Sequence, residues 1–191
     1  EKAFARCAPG RDLQVTGDPD IVARADHIVL PGVGAFGDCA QGLAAIDGLR
    51  AALEARVVND ARPFLGICVG MQLMCTTGTE RGRHKGLGWF EGSVDALNVA
   101  APFKVPHMGW NTLHMRAQHG VFDGLDGADF YFVHGYAARP KNQTEIAAET
   151  DYGGPVVAAL ARANMIGTQF HPEKSQMVGL RLIENFVNWK P

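Results

Sequence analysis

Short apolar runs alternate with amphipathic stretches through the first half of the chain, the pattern of strands and helices taken in turn. Residues 1–8 read as the tail of a helix and 13–16 as a short strand. DPDIVARAD (18–26) reads as a small helix leading to a second strand at 28–30. After PGVGAFG, the apolar positions Leu43, Ile46, Leu49 and Leu53 predict one amphipathic helix over 39–57. Residues 63–67 form an unbroken apolar run that passes straight into a helix predicted over 69–75. The second half is richer in strands, with extended segments predicted at 88–97, 110–115, 130–133 and 145–150. DYGGP supplies turn chemistry before the apolar run 156–170. A last amphipathic helix covers 178–189. Alternating strands and helices imply a mostly parallel sheet covered on both faces, so the pattern predicts a three-layer, flavodoxin-like α/β domain over 1–191 with an antiparallel addition to its sheet.

Composition narrows the function classes. A content of 47% hydrophobic and 20% charged residues is that of an ordinary globular chain. Lys and Arg number 18 against 20 acidic residues, a formal charge of -2, so the basic stripe that nucleic-acid binding needs is missing. No apolar run approaches the roughly 20 residues of a membrane span. Cys7, Cys39, Cys68 and Cys75 have neither zinc-knuckle nor disulfide-framework spacing, and reduced thiols in a cytoplasmic protein are the simplest reading. His107, His114 and His119 match no metal set and are expected to be core or surface histidines; no metal or cofactor is implied.

The chemistry concentrates in PFLGICVGMQLM (63–74). Gly66 and Gly70 flank Cys68 as the two glycines of a strand-to-helix elbow, which holds the central side chain in a strained, presented conformation. Free N–H groups at the start of the following helix favour an anionic sulfur, and the Val69 N–H is placed to meet an oxyanion. The alternative for this pentapeptide alone is a buried structural cysteine. A thiol nucleophile needs a base, and His171 has the best context: it ends the apolar run MIGTQF at a His-Pro step, with Glu173 two residues on to fix its tautomer. LPGVGAFGD (30–38) follows a strand and can turn backbone N–H groups of Gly32, Val33 and Gly34 toward developing charge. It lacks the Lys-Ser/Thr of a phosphate loop.

Together, LGICVGMQ, FHPEKS and PGVG resemble the triad-type (class I) glutamine amidotransferases. PGVGAFGD, VPHMGWN and YFVHGY resemble, within them, the glutaminase subunits of imidazole glycerol phosphate synthases. The resemblance spans nearly the whole chain. It implies that Cys68 attacks the glutamine amide, that His171 and Glu173 complete the triad, and that Gln72, Gly135 and Tyr136 contact glutamine. It also implies an oxyanion hole from Val69 and the Gly32–Gly34 segment, and a (β/α)8 cyclase subunit as heterodimer partner and consumer of the ammonia. Two departures stand out. Gly135 replaces a Ser or Thr frequent in such proteins, and the initial strand with its IDYGxGNxxS-like loop is missing. A flavodoxin-like order would put that strand between 13–16 and 28–30, so those two segments are expected about two strand spacings apart, with roughly 15 to 20 further residues expected before Glu1. A class I glutaminase serving another acceptor, and a non-catalytic binding subunit of the same fold, are the competing readings.

Overall fold

The computed structural model describes residues 1–191. The helices are α1 (Lys2–Cys7), α2 (Pro19–Val22), α3 (Phe36–Ala45), α4 (Leu49–Leu53), α5 (Val69–Leu73) and α6 (Gln176–Asn188). The strands before the midpoint are β1 (Ile28–Gly32), β2 (Phe64–Cys68), β3 (Cys75–Gly78), β4 (His84–Lys85) and β5 (Phe90–Ala96). Those after it are β6 (His107–Thr112), β7 (His114–Met115), β8 (Asp129–His134), β9 (Tyr136–Pro140), β10 (Ile146–Asp151), β11 (Pro155–Arg162) and β12 (Met165–Thr168).

Six strands form the main sheet in the order β1-β2-β12-β11-β10-β7. β1, β2 and β12 are mutually parallel, while β11, β10 and β7 join antiparallel, as the sequence pattern predicts. The ends of β2 and β12 are pinned by Asn164 in the turn after β11. Its side chain donates to the carbonyls of Val57 (2.8 Å) and Arg62 (2.7 Å), and its own carbonyl accepts from Phe64 N–H (2.9 Å). That clamp sets the register Met165↔Phe64 through Thr168↔Ile67. Strands β3, β4, β5 and β9 form a second sheet and β6 pairs β8 in a ribbon, neither of which the hydrophobic pattern separates from the main sheet.

Two predicted elements differ. Residues 13–16 form no strand, and Leu13 and Val15 are exposed. β1 is the edge of its sheet, and residues 13–16 do not pair with its free side; without a ladder partner the segment forms no strand. The single helix expected over 39–57 is broken. α3 stops at Ala45, Gly48 turns the chain with φ +77°, α4 follows, and a π-helical turn runs over Glu54–Asn59. Ile46, counted as a core position of that helix, lies in the break and is exposed.

α6 meets expectation. Leu182, Ile183, Phe186 and Val187 fall on one stripe and are buried. They join a hydrophobic cluster of 41 residues that also takes in Phe4 of α1, Leu49 of α4, Phe64 and Leu65 of β2 and Ile166 of β12.

Candidate active site

Parallel order brings three separated motifs together. β1 ends on Gly32, β2 on Cys68, and β12 runs on into His171; Gly32 pairs with Cys68, and Ile67 with Thr168. The three adjacent carboxyl ends therefore converge on one point, the edge of an α/β sheet where sites form. Backbone approaches backbone closely there. A Cβ on Gly70 would lie 1.8 Å from the Leu30 carbonyl oxygen, and one on Gly32 would lie 2.7 Å from Gly70 N. The glycines of both motifs thus exist for each other, and the elbow can sit directly against PGVG.

Cys68 has φ 55° and ψ -113°, a conformation costly for a residue with a Cβ. It is the strained elbow read from Gly66-Ile67-Cys68-Val69-Gly70. His171 follows β12, its N–H bonded to the Tyr131 carbonyl (2.9 Å). Ser175, fully buried, donates to the His171 carbonyl (2.6 Å) and accepts from Tyr131 N–H (3.0 Å), locking the HPEKS turn to β8. His171 Nδ1 lies 2.7 Å from Glu173 Oε1, which leaves Nε2 as the nitrogen available to Cys68, the other side chain that raises the ring's pKa. Burial disfavours the imidazolium, but the hydrogen bonds with Cys68 and Glu173 outweigh it and raise His171 to about 9. Burial pushes the thiols of Cys7, Cys39 and Cys75 up, Cys75 to about 12. Of the four cysteines, then, Cys68 is the one joined to a base.

In front of Cys68 lies a cavity of about 300 Å³. Its walls include Val33 and Gly34 from PGVG, Val69 and Gln72 from the elbow helix, and Gly135 and Tyr136 between β8 and β9. All the site residues read from the sequence line it except Gly32, whose backbone is next to Val69, and Glu173, which stands behind His171.

The sequence model of the family described as glutamine amidotransferase class-I matches residues 14–189. The chain belongs to the class-I glutamine amidotransferase family. The imidazole glycerol phosphate synthase subunit HisH of Brucella suis biovar 1 is 51% identical to this amidotransferase over 199 residues, spanning 100% of this chain and 92% of that protein. The same-named subunit of Ruegeria pomeroyi is 54% identical over 196 residues, again with 100% and 92% coverage. A crystal structure of a glutamine amidotransferase, 18% identical, superposes with a TM-score of 0.72 over 97% of this chain and 89% of that one. That likeness concerns the fold alone.

Glu80, His134 and Lys174 also line the amidotransferase's cavity. Lys174 follows Glu173 in the FHPEKS motif; Glu80 and His134 are not singled out in the sequence. Glu80 sits in the polar segment TERGRHKG, which has no distinguishing pattern. One signal was present: the N-cap of α3 is Ala35, which has no side-chain acceptor, so an outside group can cap it. Glu80 Oε2 does so, accepting from Phe36 N–H at 2.8 Å. His134 is buried and hydrogen-bonded to His107 (3.1 Å), and burial lowers both rings to about 4, leaving them neutral near pH 7. His107 is a core histidine, as expected, stacked on Tyr152 and Phe132. No cluster of His, Cys, Asp or Glu suits a metal ion.

The His171–Glu173 pair makes stability depend on pH in a defined direction. His171 is raised above its ordinary 6.5, so its contribution is complete below about pH 6.5 and is lost as pH climbs through about 9. Glu173 is lowered from 4.5: burial opposes its charge, but the His171 hydrogen bond prevails, so its contribution is complete above about pH 4.5. The pair therefore stabilises most between those values. Melting curves of wild type and Glu173→Gln should differ most near pH 5.5 and converge toward pH 9.5. A gap that widens with pH would contradict this assignment.

Proposed function

We propose that the chain hydrolyses glutamine to glutamate and ammonia as the glutaminase subunit of an imidazole glycerol phosphate synthase. The observation that carries this is the convergence of Cys68, His171 and Glu173 at the mouth of a cavity suited to an amino acid. Cys68 attacks the side-chain amide carbon, and His171 protonates the departing nitrogen, releasing ammonia and leaving a glutamyl thioester. His171 then takes a proton from water, which adds to the thioester; glutamate leaves and the thiol is restored. Glu173 orients the imidazole and balances its charge. The oxyanion is met by the Val69 N–H and by backbone N–H groups of the Gly32–Gly34 segment. Gln72 and the backbone of Gly135 and Tyr136 contact the bound glutamine; a backbone contact is indifferent to Gly135 standing where a hydroxyl residue is common. Glu80 is the carboxylate available to the substrate's ammonium group and Lys174 the cation available to its carboxylate.

The ammonia passes to a (β/α)8 cyclase subunit, where imidazole glycerol phosphate and an aminoimidazole carboxamide ribotide form, the step that places the chain in histidine biosynthesis. Residues 1–191 act as one amidotransferase domain in this reading, supported by a core cluster that runs from Phe4 to Val187. The identity of about half to HisH subunits over the full chain supports the choice of acceptor. Support for the partner comes from the rim: Met108 (62% exposed), Trp110 (48%) and Val33 (75%) leave large apolar groups in solvent. Met108 and Trp110 stand on β6, which pairs β8 beside the cavity-lining Val133 and His134. No helix is long and apolar enough to cross a membrane.

The test is co-purification with the cyclase followed by ammonia release from glutamine. The isolated subunit should be nearly inactive, and the complex with acceptor should be on the order of 10² to 10³ faster, the usual effect of completing an oxyanion hole. Gly34 has φ +99°, and no atom lies within 4 Å of where a Cβ would stand, so the PGVG backbone has freedom to turn there. Full glutaminase activity from the subunit alone would overturn this control.

A further inference from the structure

Behind Cys68 runs a buried line of amides whose polarity is fixed by one backbone atom. The Tyr136 carbonyl accepts from Gln72 Nε2 (3.1 Å) and from His134 Nδ1 (2.9 Å). A carbonyl can only accept, so Gln72 must present its amide nitrogen there. The same Nε2 lies 3.0 Å from Gln169 Oε1, which turns the oxygen of Gln169 toward Gln72. The nitrogen of Gln169 is then left facing Cys68, with Nε2 3.7 Å from Sγ. Gln169 is fully buried, and its main chain is held by a bond from its N–H to the Ala158 carbonyl (2.8 Å). Its side chain has no solvent to turn to.

His134 braces the carbonyl from the other side. Its Nδ1–H is used on Tyr136, so its Nε2 accepts from His107 Nδ1 (3.1 Å), and His107 Nε2 faces Asn111 Nδ2 (3.4 Å). Both donors that converge on the carbonyl are therefore directionally fixed.

We infer that Gln169 is a positioning residue for the nucleophile, holding Cys68 Sγ with a side-chain N–H whose direction is set through Gln72 by the Tyr136 carbonyl. An N–H donated to sulfur favours thiolate over thiol, because charge-assisted hydrogen bonds are roughly twice as strong as neutral ones. Gln169 does not line the cavity and is buried from solvent. This assignment rests on Cys68 being the nucleophile, and it adds a second fixed partner to the one His171 provides. The other titratable or charged groups around the cavity are His171, His134, Glu80 and Lys174, with Cys39 nearby, and the test leaves all of them in place.

The test is the pH dependence of Cys68 alkylation by iodoacetamide in the full chain, followed on the Cys68 peptide by mass spectrometry, in wild type and Gln169→Met. Methionine keeps the volume and removes the donor. The alkylation midpoint should rise by about one pH unit, on the scale of a lost hydrogen bond to a charged acceptor. In the complex with the cyclase, kcat for glutamine should fall about tenfold with KM little changed. Gln169→Glu provides the second variant: its carboxylate still accepts from Gln72 yet sets an anion against the sulfur, so its midpoint should rise further. An unchanged midpoint in a variant that melts like wild type overturns the role of Gln169. Wild-type Cys68 reacting no faster than Cys39 would instead overturn the nucleophile reading on which it rests.

Discussion

Replacing Cys68 with alanine should abolish glutamine hydrolysis and leave the ammonia-supported reaction of the cyclase complex intact. The side chain forms the covalent bond to substrate, and loss of such a nucleophile costs on the order of 10⁴ or more in turnover. Nothing else is placed to replace it, since burial keeps the thiols of Cys7, Cys39 and Cys75 protonated. Alanine tolerates the backbone at φ 55° no worse than cysteine does, so the fold should survive. The two activities are measured on the same preparation, once with glutamine and once with an ammonium salt. Comparable loss of both in a well-folded complex would show that Cys68 serves more than glutamine hydrolysis.

Gly70→Ala should produce the largest loss of stability of any single methyl added to the site. The new Cβ would stand 1.8 Å from the Leu30 carbonyl oxygen, an atom of the β1 backbone that cannot swing aside as a side chain can. Either β1 parts from β2 or the start of α5 moves, and both carry the elbow. A loss exceeding about 4 kcal/mol is expected, the range reserved for overpacked or strained core positions. At this chain length that corresponds to a melting temperature lower by roughly 10 °C. Gly42→Ala is the control, because no atom lies within 4 Å of its Cβ position and it lies within α3. A Gly70→Ala protein melting within about 2 °C of wild type would mean that the close packing of elbow on PGVG is not rigid.

The elbow, the His-Pro-Glu step and the PGVG loop were legible because each is a local pattern whose chemistry follows from adjacent residues. The parallel core strands were legible as continuous apolar runs for a similar reason. Partners supplied from elsewhere in the chain were not. Glu80 reaches Phe36 across 44 residues and Gln72 reaches Gln169 across 97, and neither polar segment announces its target. His134 falls just past the strand predicted at 130–133, inside YFVHGY, and only the fold shows its ring against His107 and the cavity. The helix over 39–57 failed because apolar spacing cannot register that Gly48 takes a left-handed turn. The strand at 13–16 failed because apolar residues alone do not make a strand: the segment does not reach the free edge of β1 or any other ladder.

The position of β12 between β2 and β11 has a consequence for how the molecule comes into being. β1 and β2 are near each other in sequence, and the elbow can form on them early. The strand that completes the centre of the sheet, and carries His171 beyond it, must return across the whole second sheet and ribbon before it can dock. Pairings of such long range are slow to nucleate. During that interval a chain would display Cys68 without its base, its glutamate or the amide of Gln169. The thiol therefore meets its base only once β12 has docked beside β2, so the chemistry of the site depends on the longest-range pairing of the sheet.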